Sequence, residues 1–183
     1  GTFKPVKTEL IKDHSMHSEP FSVSLKFLKS IRDSIGSKSV VSVGTTSART
    51  LESLYYIGVR CMEGEGPADV DQWEPYGRVF NVSPKDSINA VCKWMESNNI
   101  STLEGRTRII IVPGYEYKIT DALVTNFHQP SSTLLLLIAA FVGENWREIY
   151  NYALRNNFRF LSYGDSSLLF RKLPIFDNLM SPA

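Results

Sequence analysis

The chain has 183 residues, 43% hydrophobic and 21% charged, a balance that excludes a disordered or collagen-like polypeptide. At this length folding can bury roughly 70% of the unfolded surface, enough for one full core without disulfide or metal staples. Its 20 basic and 19 acidic residues leave a net charge of +1, so any nucleic-acid contact has to be a local patch rather than a general basic field.

Thr2 to Thr8 alternates polar and apolar residues, and Pro5 marks it as an edge strand. Leu25, Leu28, Ile31 and Ile35 recur at helical spacing and stop at Gly36. Ser39 to Val43 is a short β-branched strand that breaks at Gly44, and a helix is expected from Ala48, with Leu51, Leu54 and Tyr55 on one face. Between Met62 and about Gly105 the texture changes. Gly64, Gly66 and Pro67 among several acids read as an irregular loop, and Pro84 to Asn98 as one amphipathic helix. This stretch is too short for its own core and is expected to be an insertion, about 62–105, in a single domain spanning 1–183. Arg108 to Val112 predicts a central strand and Ala122 to Phe127 another. Ser131, Ser132 and Thr133 cap an apolar helix to Val142, Arg147 to Asn156 is a further helix, and Phe158 to Ser162 a last core strand. Strands alternating with helices predict an α/β fold, a largely parallel sheet flanked by helices.

The longest apolar run, Leu134 to Val142, falls short of the roughly 20 residues a membrane helix needs. No signal-peptide pattern occurs, and an opening Gly1 in place of Met suggests a piece of a longer polypeptide. Cys61 and Cys92 form no CxxC pair, which argues against a disulfide framework and suits a reducing, cytoplasmic setting.

Four segments place polar groups where open α/β sheets bind ligands, just past strand ends. Gly44-Thr45-Thr46-Ser47 joins a strand to a helix start whose free N–H groups attract anions, and Arg49 adds a cation for carboxylate or phosphate. It lacks the Lys and second Gly of a P-loop, and a plain Ser/Thr cap is the competing reading. Asn126, His128 and Thr133 flank a strand end and a helix cap. There an imidazole orients a polar substrate or merely bonds its own loop. His14, His17 and Glu19 form an HxxHxE group without the spacing of a familiar metal signature, favouring proton transfer or substrate binding over metal, with plain loop structure as the competing reading. Tyr163, Gly164 and Asp165 present a phenol and a carboxylate, and Asp121 is either a turn residue or a carboxylate near the site.

Taken in order, GTFKPV with HSMHSE, VGTTSARTLES, PGYEYKITDALVTNFHQPSSTLLLLIAAFVG and FRFLSYGDSSLL closely resemble the S-adenosylmethionine:tRNA ribosyltransferase-isomerases of queuosine biosynthesis. The resemblance implies transfer of the ribosyl part of S-adenosylmethionine to 7-aminomethyl-7-deazaguanine at the tRNA wobble position, giving epoxyqueuosine and releasing adenine and methionine. S-adenosylmethionine is then a consumed substrate, and no true cofactor or metal is expected. The sulfonium acidifies the neighbouring C5′ hydrogens, so a base opens the sugar while an acid helps adenine leave. His17 and His128 are the first candidates for proton transfer, with His14, Glu19, Asp121 and Asp165 behind them. Thr45, Thr46, Ser47 and Arg49 would cradle a carboxylate or phosphate, and Tyr163 with Asp165 the nucleoside. The resemblance also implies members nearly twice this length, with the remainder upstream of Gly1 and part of the same catalytic fold. Gln129 stands where Leu is usual, and 62–105 is longer than typical. A non-catalytic nucleoside-binding fragment is the alternative.

Overall fold

The computed structural model describes residues 15–130 and 132–171; the edge strand expected at Thr2 to Thr8 lies outside them. Strand β1 (Glu19–Ser24) pairs antiparallel with β3 (Thr102–Thr107), Glu19 opposite Thr107 and Ser24 opposite Thr102. Ser24 is both the last strand residue and the cap of helix α1 (Leu25–Ser34). Its hydroxyl accepts the Phe27 N–H at 3.1 Å, satisfying one orphan donor of the first turn. Strand β2 (Val41–Val43) then enters a second sheet, parallel to β4 (Ala122–Asn126), which pairs antiparallel with β5 (Ser166–Phe170). The fold is α/β. Of the largely parallel sheet expected from the alternation, the described residues show one parallel strand pair, β2 with β4, within two small sheets.

The reversal has a local cause. Phe158 to Ser162, expected as a core strand, folds into an aromatic knot. Phe158 and Phe160 pack on Phe127 at 5.6 and 5.3 Å between ring centres, and the Leu161 N–H donates to the Phe127 carbonyl at 2.9 Å. A turn with Leu161 at φ 71° follows, closed by Gly164 N–H to Leu161 O at 2.9 Å, and returns the chain antiparallel along β4.

Helix α2 (Thr45–Glu63) is the longest described element and packs on α3 (Pro84–Ser97). A Cβ on Gly58 would lie 2.1 Å from the Ser87 carbonyl oxygen, so only glycine permits this approach. Ser87 completes the contact by donating its hydroxyl to the Tyr55 carbonyl at 2.5 Å. Ile88, Val91, Cys92 and Met95 of α3 are buried in the common core with Leu54, Ile57, Leu123 and Phe141, each such side chain contributing about 1.5–3 kcal/mol. The 62–105 stretch thus feeds the main core. Its irregular part is tied down by the Arg60 guanidinium to the Ala68 and Asp69 carbonyls and by the Tyr55 hydroxyl to Val82 O at 2.8 Å.

Arg108 to Val112 is not the central strand expected. Ile109, Ile110 and Ile111 are buried, but their main-chain partners come from a loop and from side chains: Arg108 N–H to Val70 O, Ile110 N–H to Gln72 O, Tyr76 hydroxyl to Ile110 O. An apolar run demands burial and satisfied peptide groups, and a sheet ladder is only one way to supply them. Helices α4 (Thr133–Val142) and α5 (Trp146–Arg155) complete the described chain. No described helix is long and apolar enough to cross a membrane.

Candidate functional site

The polar rim lies where β2 and β4 end and β5 begins. Val43 is in register with Val124, the Gly44 N–H donates to Val124 O at 2.8 Å, and Asn126 faces Ser166. Gly44, Asn126 and the 163–165 turn therefore share one end of the β2-β4-β5 sheet. Gly44 has φ 89° and ψ 152°, a region essentially reserved for glycine, and the chain turns there straight into α2. No side chain caps that helix and no acid stands in its first turn, so its leading N–H groups and the positive end of its dipole face outward. Thr45 is buried, whereas Thr46 and Ser47 are exposed and line a groove of about 830 Å³ with Pro20 to Ser24, Val41, Val43 and Thr50.

On the β4–β5 lip, the Asn126 amide donates to the Gly164 and Asp165 carbonyls at 3.2 and 3.3 Å. His128 sits with its Nε2 3.0 Å from the Thr125 hydroxyl, and its N–H donates to the Tyr150 hydroxyl at 3.0 Å. Burial lowers its pKa to about 4, which keeps the ring neutral at physiological pH, in the form able to accept a proton. Tyr163 is 97% exposed at the turn tip. Asp165 accepts the Arg159 N–H at 2.7 Å, and this bond holds its carboxyl below the usual range. Thr133 is buried at the first turn of α4.

The other candidates lie elsewhere. Asp121 precedes β4, at the opposite end of the strand from the rim. Its carboxylate accepts the Val40 N–H at 2.9 Å and pairs with Arg171 at 3.0 Å, clamping the start of the sheet. Arg49 does not offer a guanidinium to the groove. It is 2% exposed, donates Nε–H to Ile109 O at 2.9 Å and reaches Glu19 with Nη1 at 2.9 Å, and burial lowers its pKa. Glu19 is thereby drawn to α2 from the start of β1. His17, two residues before it, is exposed. His14 lies outside the described residues, and among those described no group of three or more His, Cys, Asp or Glu side chains is placed to hold a metal ion.

One buried carboxylate was not a sequence candidate. Glu52, fully buried on α2, accepts from the Tyr115 hydroxyl at 2.9 Å and from the Lys118, Ile119 and Thr120 N–H groups at 2.7, 3.1 and 2.9 Å. Helical arithmetic exposes it: Thr45, Ala48, Arg49, Glu52, Tyr56 and Val59 form one i, i+3, i+4 stripe, so its two charged members are buried with the rest.

The model of the queuosine biosynthesis protein family matches residues 1–169. The S-adenosylmethionine:tRNA ribosyltransferase-isomerase of Clostridium kluyveri is 38% identical over 171 residues, 92% of this chain and 39% of the relative. That of Nitrosospira multiformis is 38% identical over 174 residues, 93% and 41% of the two chains. The crystal structure of the S-adenosylmethionine tRNA ribosyltransferase from Thermotoga maritima superposes with a TM-score of 0.55 at 29% identity, over 81% of this chain and 40% of that one. The chain thus spans about two fifths of these relatives, which are longer than the nearly twofold length expected. From its matched sequence and its shared fold, the chain belongs to the queuosine biosynthesis protein family.

Proposed function

We propose that the chain carries part of the active site of an S-adenosylmethionine:tRNA ribosyltransferase-isomerase. The observation that carries this reading is the uncapped start of α2 at the same end of the β2-β4-β5 sheet as Asn126, in a member of this family. The exposed Thr46 and Ser47 and the leading N–H groups of α2 would hold an anionic group, the methionine carboxylate or a tRNA phosphate. Asn126, Tyr163 and the 163–165 turn would take the nucleoside. In the reaction, loss of a C5′ proton beside the sulfonium opens the ribose, the sugar carbon bonds to the aminomethyl nitrogen of the deazaguanine, and adenine and methionine depart. His128, neutral in its pocket, and the exposed His17 are the groups proposed to move protons. Arg49 and Glu19 act structurally in this scheme, Glu19 tying the strand that leads from His17 to α2.

Calorimetric titration of the chain with S-adenosylmethionine tests the cradle. Thr46→Val with Ser47→Ala should weaken binding about tenfold, the loss of charge-assisted hydrogen bonds; unchanged affinity would remove the two hydroxyls from the site. Adenine release with tRNA bearing 7-aminomethyl-7-deazaguanine tests the chemistry. Because the chain spans two fifths of its relatives, a second reading is a fragment that binds without turnover. Tight binding with no adenine release would establish it.

A further inference from the structure

The imidazole of His128 is gripped by a side chain to which the functional reading gives no part. Thr125 lies on β4 opposite Ser167 of β5 and is 6% exposed. Its main chain is tied across the sheet, the Ser167 hydroxyl donating to Thr125 O at 3.1 Å, and its β-branched side chain has few rotamers open to it. The Thr125 hydroxyl lies 3.0 Å from His128 Nε2 and makes no other hydrogen bond among the described residues. The histidine is also held through its main chain, by the N–H bond to the Tyr150 hydroxyl, and Tyr150 packs edge-on against Phe127 with ring centres 5.5 Å apart.

The contact has to be shared out between two protons. The hydroxyl carries one, and a neutral imidazole carries the other on either of its nitrogens. A ring proton on Nε2 would point at Thr125 Oγ1 and leave the Thr125 O–H a buried donor without an acceptor, which is penalised. With the O–H donating to Nε2, both groups are satisfied, and the ring proton sits on Nδ1. Nothing among the described residues bonds Nδ1, and it is not one of their buried unpartnered atoms. It is the nitrogen left for a ligand. Burial disfavours a second proton on the ring.

We propose that Thr125 is a positioning residue that fixes His128 as the Nδ1–H tautomer, so that the ring offers its ligand a hydrogen-bond donor and not a lone pair. The proposal rests on the reading of the rim as part of a ribosyltransferase-isomerase active site. It separates the two imidazoles named there. With Nε2 engaged by Thr125, the part of His128 is to donate Nδ1–H to negative charge developing on the departing adenine, as a neutral imidazole can in a site too dry for imidazolium. Removal of the C5′ proton then falls to His17. The hydroxyl that sets this division is carried by a paired strand, so the ring is oriented by the sheet before any ligand arrives.

Nitrogen-15 NMR of the imidazole rings at neutral pH tests it, the His128 signals being those missing from His128→Gln. The parent chain should show His128 protonated on Nδ1 with Nε2 as a hydrogen-bonded acceptor, against the Nε2–H form that an unconstrained histidine favours. Thr125→Val, of the same shape without the hydroxyl, should move the Nε2 resonance and release the ring to a mixture of both forms. Thr125→Ser should restore the single form. An Nε2–H ring in the parent, or unchanged ring resonances in Thr125→Val, would overturn the proposal. In the adenine-release assay, Thr125→Val should lower kcat about tenfold with KM for S-adenosylmethionine unchanged, and Thr125→Ser should recover it. A kcat equal to the parent's in Thr125→Val would overturn the donor role. A parent with the Nδ1–H ring that releases no adenine would refute the catalytic reading and leave the tautomer assignment standing.

Discussion

One turn apart on α2, two buried charges are treated in opposite ways. Glu52 spends both carboxylate oxygens on four donors, three of them consecutive main-chain N–H groups. Arg49 has one well-formed bond, to Ile109 O. Its contact with Glu19 lacks hydrogen-bond alignment, and Nη1, Nη2 and Glu19 Oε2 are buried without a hydrogen-bond partner among the described residues. A buried charge stabilises a fold only when its bonds are complete. The first site therefore fixes structure, whereas the second joins β1 to α2 at little or no net gain.

The sharpest way to break this contrast is Glu52→Gln. The amide replaces an acceptor by a donor facing N–H groups, and the Tyr115 hydroxyl, whose pKa burial pushes well up, stays protonated and loses its acceptor. A loss of about 3–4 kcal/mol in denaturant unfolding is expected, a fall in Tm of roughly 6–14 °C; a loss below 1 kcal/mol would end the distinction. Arg49→Met should cost less, about 1–2 kcal/mol, because it also removes the unpartnered donors. The double variant Arg49→Met with Glu19→Leu should return close to the parent, the behaviour of an ion pair replaced by apolar groups. A double variant worse than the sum of the singles would show the pair to be stabilising. The smallest effect is expected at His128, whose pKa near 4 lies below its unfolded value near 6.5. Folding favours the neutral ring, so its contribution is complete above about pH 6.5 and is lost as the pH falls through 4. With allowance for its partial exposure this amounts to about 1 kcal/mol. His128→Gln should flatten the unfolding free energy over that window, and an unaltered slope would contradict it.

The helices were readable because their signals are local. The Leu25 to Ile35 spacing, the Pro84 start of α3 and the Ser132 cap of α4 each depend on a few neighbouring residues, and the structure has them. Pairing partners were harder. Arg108 to Val112 and Phe158 to Phe160 have strand composition, yet the first finds loop carbonyls and the second an aromatic cluster around Phe127, contacts between distant positions that no window contains. The bend at Gly44 and the polar turn at Asn126 were legible as a rim because glycine, Thr-Thr-Ser and Asn-x-His follow strand ends directly. Asp121 and Arg49 were not, since a carboxylate or guanidinium looks the same in sequence whether it faces a ligand or closes a fold. Glu52 left its mark only through its position on the α2 stripe.

The grip of Glu52 on residues 118–120 has a consequence for the rim. Those amides lead directly into β4, whose far end carries Asn126 and His128, while Glu52 itself belongs to the helix that begins at Thr45. Both halves of the rim accordingly hang from a single bracket, set two helical turns back from Thr45, and their spacing is inherited from the scaffold.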